Sequence, residues 1–352
     1  MRPHTLFRAL TALSLSLVAL APAAPALARR RPAPVVEAPP PPPPPAAPVG
    51  LPQKMIEDAA AYQAYMLRVA TTAPGFDSAQ TVSSALHAGA HYQSKALVRG
   101  AIAYAAIAAL EDHSFIDSLR NAGNTPENRR LMVRYIETNP IYLSQFAGAD
   151  AAAGYARAAI AGSALHLQQT GRLVRQSAYD VQHQDWSKVS ILDPAGRLKE
   201  VESLGVEGIE PGPEQVPILQ KAASLAAPLD LQGLPLAGPM SPMVARAVQV
   251  AAIAALGEAP DETYESLSAI TVDALTTECL ERAKRDLYQC LAVSKPNYED
   301  IFCMGRHEML DPAACLAQAV AVDLPPEPPP PPMPVPVRTT RVRSGPRHHV
   351  AG

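Results

Sequence analysis

The chain has 352 residues, and 33 acidic against 30 basic residues leave a formal charge of -3. That near-balance gives no reason to expect a nucleic-acid partner. Thirty-eight prolines and an aromatic content of only 5% mean that parts of the chain cannot fold and that the core must be built from small side chains.

The first 28 residues read as a secretory signal. Arg2 and Arg8 precede the apolar run Ala9 to Leu20, and Ala26-Leu27-Ala28 forms a small-x-small cleavage site. The run is shorter than the roughly twenty residues of a membrane span, so no integral span is expected after cleavage; left uncleaved, the segment would be an anchor. Abundant alanine, arginine and proline, with no Asn-x-Ser/Thr acceptor, suit a GC-rich bacterium. The expected destination is therefore the periplasm.

Residues 29–53 hold seven consecutive prolines, Pro39–Pro45, and residues 323–352 repeat the theme over Pro325–Pro336 before a basic end. Both are expected to be disordered, with polyproline II character. Between them lie a helical body (54–189), a loop-rich connector (190–241) and C-terminal helices (242–322).

In the body, Ile56, Ala59, Tyr62, Met66 and Val69 recur at helical spacing over Met55 to Ala70. Asp77 or Ser78 caps a short helix ending near Gly89. Ser94 caps a longer one to Leu110, whose last ten residues are apolar on every side, as in a buried helix. His113 to Asn121 is a further short helix, and Thr125-Pro126 opens one that Asn139-Pro140 ends. Asp150 begins the longest candidate, to about Lys188, with Gly154, Gly162 and Gly171 as expected kink points. Asp193-Pro194 starts a short helix through Leu204, after which proline recurs up to Pro242. No stretch alternates long enough for a sheet, so the fold expected is an all-α multi-helix bundle. Ala101–Leu110 and Ala247–Leu256 both end in Ala-Ala-Ile-Ala-Ala-Leu, and they are expected to be close-packed neighbours in the core.

Near the C-terminus, Glu262 to Val293 reads as one long helix. Lys295-Pro296-Asn297 turns the chain, Tyr298 to Cys303 is a short helix, Gly305 breaks it, and Asp311-Pro312 caps a last helix to Val320. Cys279 and Cys290 would lie about 16 Å apart along their helix, beyond disulfide reach. Each must pair across the turn. The nested pattern, Cys290 with Cys303 inside Cys279 with Cys315, is the first expectation, and the crossed pattern is the second. Intervals of ten, twelve and eleven residues do not make zinc knuckles. The result is a disulfide-clamped helical hairpin, similar in layout to coiled-coil-helix proteins of oxidising compartments.

No HExxH, nucleophile elbow, Walker loop or dinucleotide fingerprint occurs, so no catalytic residue, metal or cofactor is assigned. His307-Glu308 followed by Asp311 is a near miss at HExxH and reads as part of a helix cap. His87 and His91 are four apart and could share a metal with a third ligand from Asp112, His113, His166 or His183. The densest polar-aromatic cluster surrounds the single tryptophan. Helical spacing places Tyr179, His183 and Trp186 on one face, and with Asp180 they form the candidate ligand or partner contact. Arg338, Arg341, Arg343 and Arg347 make the tail basic, a candidate contact for an anionic envelope surface or an unknown envelope protein.

The runs Ala178–Gln184, Tyr288–Val293 and Tyr298–Cys303 resemble exported, alanine-rich α-helical proteins of alphaproteobacteria for which no activity is known. The resemblance implies export and a helical fold, and no function. The expectation is thus a periplasmic, non-enzymatic helical protein acting as an envelope interaction or structural module. Its rivals are a metal-dependent or hydrolytic enzyme using His87, His91 and His183, and a small-ligand-binding protein with a groove near Tyr179 and Trp186.

Overall fold

The computed structural model describes residues 47–236 and 238–326. The signal-like segment, residues 29–46 of the first proline-rich segment and the tail from 327 lie outside them. The described residues form fourteen α-helices and no strand; Ser190 and Pro296 meet in an isolated bridge. The helices are α1 (Gln53–Ala70), α2 (Ala79–Ala90), α3 (Ser94–Ala109), α4 (His113–Ala122), α5 (Pro126–Thr138), α6 (Ala149–Val181) and α7 (Asp185–Lys188). They continue with α8 (Pro194–Leu204), α9 (Gln215–Ala223), α10 (Pro242–Ala255), α11 (Tyr264–Ile270), α12 (Ala274–Val293), α13 (Asn297–Cys303) and α14 (Asp311–Ala319). Among the described residues no helix is long and apolar enough to cross a membrane.

The core is built around α3. Every residue from Ala101 to Leu110 is buried, and α1, α6 and α10 pack against this helix. The matching stretch of α10, Val250 to Leu256, is buried too, so the two alanine-rich echoes do meet in the interior. Alanine costs no side-chain entropy and lets helix axes approach closely, which suits a chain poor in large aromatics.

Helix α6 spans 33 residues as one element that its glycines do not interrupt; Gly154 and Gly171 serve close contact, whereas Gly162 faces open space. A Cβ at Gly171 would sit 2.7 Å from the Met309 Cβ, and one at Gly305 would sit 2.6 Å from the Arg175 nitrogen. These two glycines let α6 and the segment after α13 touch backbone to backbone. The helix ends at Val181, short of the expected Lys188, because residues 182–184 turn into the separate α7.

Two further boundaries differ from expectation. The long helix from Glu262 is broken at Thr271–Asp273, where the buried Asp273 side chain accepts from the Thr276 N–H at 2.9 Å and caps α12. Gly305 breaks nothing. Residues 297–319 stay helical through a seven-residue π-helical segment, Met304–Leu310, that joins α13 to α14. Pro312 lacks an N–H and would crowd the Glu308 carbonyl in a regular α-helix; the wider π turn before it accommodates the ring. Asp311 is therefore within the helix, not at a cap. The connector holds one helix that its prolines concealed, α9, docked on α1.

The cysteines pair in the nested pattern. Cys279 is bonded to Cys315 and Cys290 to Cys303, each with Cα atoms 5.7 Å apart. Together they clamp α12 to the returning α13–α14 arm.

Candidate functional site

The inner disulfide forms one wall of an open groove of about 380 Å³. Ala178, Tyr179 and Gln182 supply one side from the end of α6. Cys290, Val293 and Ser294 contribute from the end of α12, and Tyr298, Glu299, Phe302 and Cys303 complete the lining from α13. The Tyr179 and Phe302 rings meet edge to face, 6.2 Å apart at 83°. Tyr298 and Phe302 are four apart on α13, so both rings rise from one helix face. The lining is predominantly apolar, with Gln182, Glu299 and the tyrosine hydroxyls as its polar points.

Rigid neighbours hold this surface in place. Behind the turn from α12 to α13, Asp300 is buried and accepts from Arg197 Nη1 at 2.6 and 2.7 Å and from Ser294 Oγ at 2.6 Å. Arg197 also donates to the Leu291 carbonyl, so one guanidinium ties α8 to both arms of the hairpin. Burial raises the Asp300 pKa, and Ser294 and Arg197 oppose that rise by favouring the charged form. Asn297 donates to the Trp186 and Val189 carbonyls at 3.3 and 3.2 Å, fixing α7 to the start of α13. The groove is thus braced from three elements.

Of the residues singled out in the sequence, Tyr179 lines the groove and is half exposed. Asp180 is exposed and accepts from Gln176. His183 lies exposed in the turn after α6, and Trp186 is in α7, half-buried against the core, with its indole donating to Gln184. Tyr179, His183 and Trp186 do not share a helical face, because the helix that would align them stops at Val181. Tyr298 and Phe302 escaped notice. Their signal was available: two aromatics at helical spacing beside a cysteine, in a chain with few aromatics.

The histidines do not converge. His87 faces Glu200 at 3.5 Å and His91 faces Glu207 at 3.3 Å, each a separate pairing toward α8 and the turn after it. Among the described residues, the grouping with ligand-like spacing is Asp286, His307 and Asp311, whose donor atoms all lie within 4.8 Å of one another. There His307 Nδ1 sits 2.8 Å from Asp311, and Arg306 lies 3.4 Å from the same carboxylate. These contacts join the π segment to α14 as a charge network. The near miss at HExxH is this His307–Asp311 contact across one helical turn.

A second polar cluster is wholly buried. The Glu308 carboxyl has no hydrogen-bond partner, lies where a Cβ at Gly89 would collide with it, and is close enough to raise the pKa values of Tyr65, Tyr92 and Tyr288. Burial holds its own pKa well above the ordinary carboxylate range, and Asp300 adds to that. Lys284 approaches Tyr92 from α12: its Nζ lies 4.2 Å from the ring centroid and donates to the Tyr92 and Gly205 carbonyls. Burial lowers its pKa to about 8. This cluster ties α2, α8 and α12 together from inside, whereas the groove faces outward. No protein-family model, no curated protein and no solved structure matches the chain.

Proposed function

We propose that the chain is an exported, periplasmic helical module that works by contact, and that its contact surface is the groove beside Cys290–Cys303. Two structural disulfides suit an oxidising compartment. The signal-like N-terminus and the resemblance to exported helical proteins of alphaproteobacteria support the same location. The observation that carries the reading is the aromatic lining of Tyr179, Tyr298 and Phe302 on braced helices. The groove is open, whereas a small-molecule pocket encloses most of its ligand. An aromatic-lined open groove suits an extended proline-rich segment, whose rings stack on aromatic side chains and whose preformed conformation loses little entropy on binding.

The test is anisotropy of a fluorescein-labelled decaproline peptide titrated with the full chain. Saturable binding that weakens at least about tenfold in Tyr179→Ala/Phe302→Ala is expected, the loss of two ring contacts. Binding indifferent to both substitutions, or none at millimolar protein, overturns the reading.

A further inference from the structure

We infer that the groove is occupied by the chain's own proline run, Pro328–Pro332, an inference that rests on the groove reading above. The first observation is direction. After α14, the carbonyls of Val320 and Ala321 accept from Arg157 of α6, at 3.1 and 2.5 Å. Five residues later the Pro325 carbonyl accepts from Gln168 Nε2 at 3.1 Å and from Arg172. The partners advance along α6 from 157 to 168 and 172, so the chain runs extended along this helix toward its C-terminal end. The groove lies at that end.

The second observation is register. Gln168, Arg172 and Tyr179 follow intervals of four and seven, which keeps them on one stripe of α6, and Gln182 continues it at the C-cap. From Arg172 the stripe reaches Tyr179 after about 10 Å and Gln182 after about 15 Å. Polyproline II advances roughly 3.1 Å per residue, so three to five residues past Pro325 cover that distance. Those positions are Pro328 to Pro330, the start of the run Pro328–Pro332. The heading of residues 320–325 therefore delivers pyrrolidine rings to Tyr179, Tyr298 and Phe302 with no turn and no spare chain.

The third is chemistry. A proline run has carbonyls and no N–H groups, so its polar needs are met by donors alone. Gln182 and the hydroxyls of Tyr179 and Tyr298 are donors in the groove lining. Docking within one chain also sets a threshold: an external proline-rich partner competes with a tethered segment at an effective concentration in the millimolar range. The tail then acts as a built-in competitor.

The experiment uses the full chain and a fluorescein-labelled peptide of residues 325–337. Four proteins are compared by anisotropy: the native chain, a tail variant with Pro328→Gly, Pro329→Gly, Pro330→Gly, Pro331→Gly and Pro332→Gly, and each of these with Tyr179→Ala. The expected result is binding about tenfold tighter in the tail variant than in the native chain, weakened about threefold by Tyr179→Ala in both. Equal affinity in native and tail-variant chains, still sensitive to Tyr179→Ala, overturns the inference and leaves the groove reading standing. Absence of any binding sensitive to Tyr179→Ala overturns both. A native chain that sediments as a dimer, with its disadvantage vanishing on dilution, places a second copy's tail in the groove and overturns the intramolecular arrangement.

Discussion

The alanine-packed centre and the cysteine hairpin reach the same end by opposite means. Over Ala101–Leu110 at α3 and Ala247–Leu256 at α10 the buried side chains are mostly small and apolar, with no charge among them. In α12–α14 the buried residues include Asp300, Glu308 and Lys284, and two disulfides hold the arms. Close packing alone sustains the first region. The second buries ionisable groups, each of which costs several kcal/mol to desolvate unless well paired. The covalent links offset part of that cost by restricting the unfolded chain. The groove lies in the clamped region, where surface geometry is least free to relax.

The largest effect expected is from the ion pair under the groove. Arg197→Ala leaves the Asp300 carboxylate buried and unpaired and should cost about 3–5 kcal/mol in urea unfolding. A loss below about 1 kcal/mol would mean that the hairpin is held by its thiols alone.

Next come the disulfides. Their residues are 36 and 13 apart in sequence. Loop-closure entropy then predicts a loss of about 4 kcal/mol for Cys279→Ser/Cys315→Ser and about 3 kcal/mol for Cys290→Ser/Cys303→Ser. Hydrogen exchange should show protection falling in α12–α14 while α3 and α10 keep theirs. Uniform loss across both regions would erase the distinction between them.

In the centre the sensitive quantity is volume. Ala252→Val, at a fully buried position of α10, should cost about 1–3 kcal/mol by overpacking, read as a lowered melting temperature. A neutral result would show slack between α3 and α10.

The last effect is a slope rather than a single loss, and it depends on pH. The Glu308 pKa is raised by burial, with Asp300, Tyr65, Tyr92 and Tyr288 as neighbours, so the folded chain keeps a proton that the unfolded chain releases. Stability should therefore fall as pH rises above the ordinary glutamate value, by up to about 1.4 kcal/mol per pH unit, until the folded group ionises. Glu308→Gln should flatten that decline when unfolding is followed from pH 4 to pH 8. An unchanged slope would place the pH dependence elsewhere.

Much of the bundle was legible. Ser78, Thr125 and Asp193 accept from backbone N–H groups at the starts of α2, α5 and α8, as short polar residues before an apolar period should, whereas Ser94 is the first residue of α3 and caps nothing. What failed to read were joins decided by distant contacts. Gly305 looked like a breaker, but it is the point where α6 presses on the π segment. Asp273 lay inside a helical pattern, yet its cap splits α11 from α12 and is reinforced by Arg246, 3.7 Å away. Of the groove, Tyr179 was legible as a candidate ligand or partner contact. Tyr298 and Phe302 carried a local signal in their helical spacing beside a cysteine, but nothing local says that their face meets the end of α6.

Local sequence determined where most helices lie, because periodicity and caps act within a few residues. The spacing of four cysteines narrowed the pairing, since two positions three turns apart on one helix cannot bond. Tertiary structure alone decided which of the remaining pairings forms, which buried charges find partners, and that α6, α12 and α13 leave an aromatic-lined groove between them. Those outcomes depend on how side chains from distant segments fill shared space, and that information is not carried by any one stretch of chain.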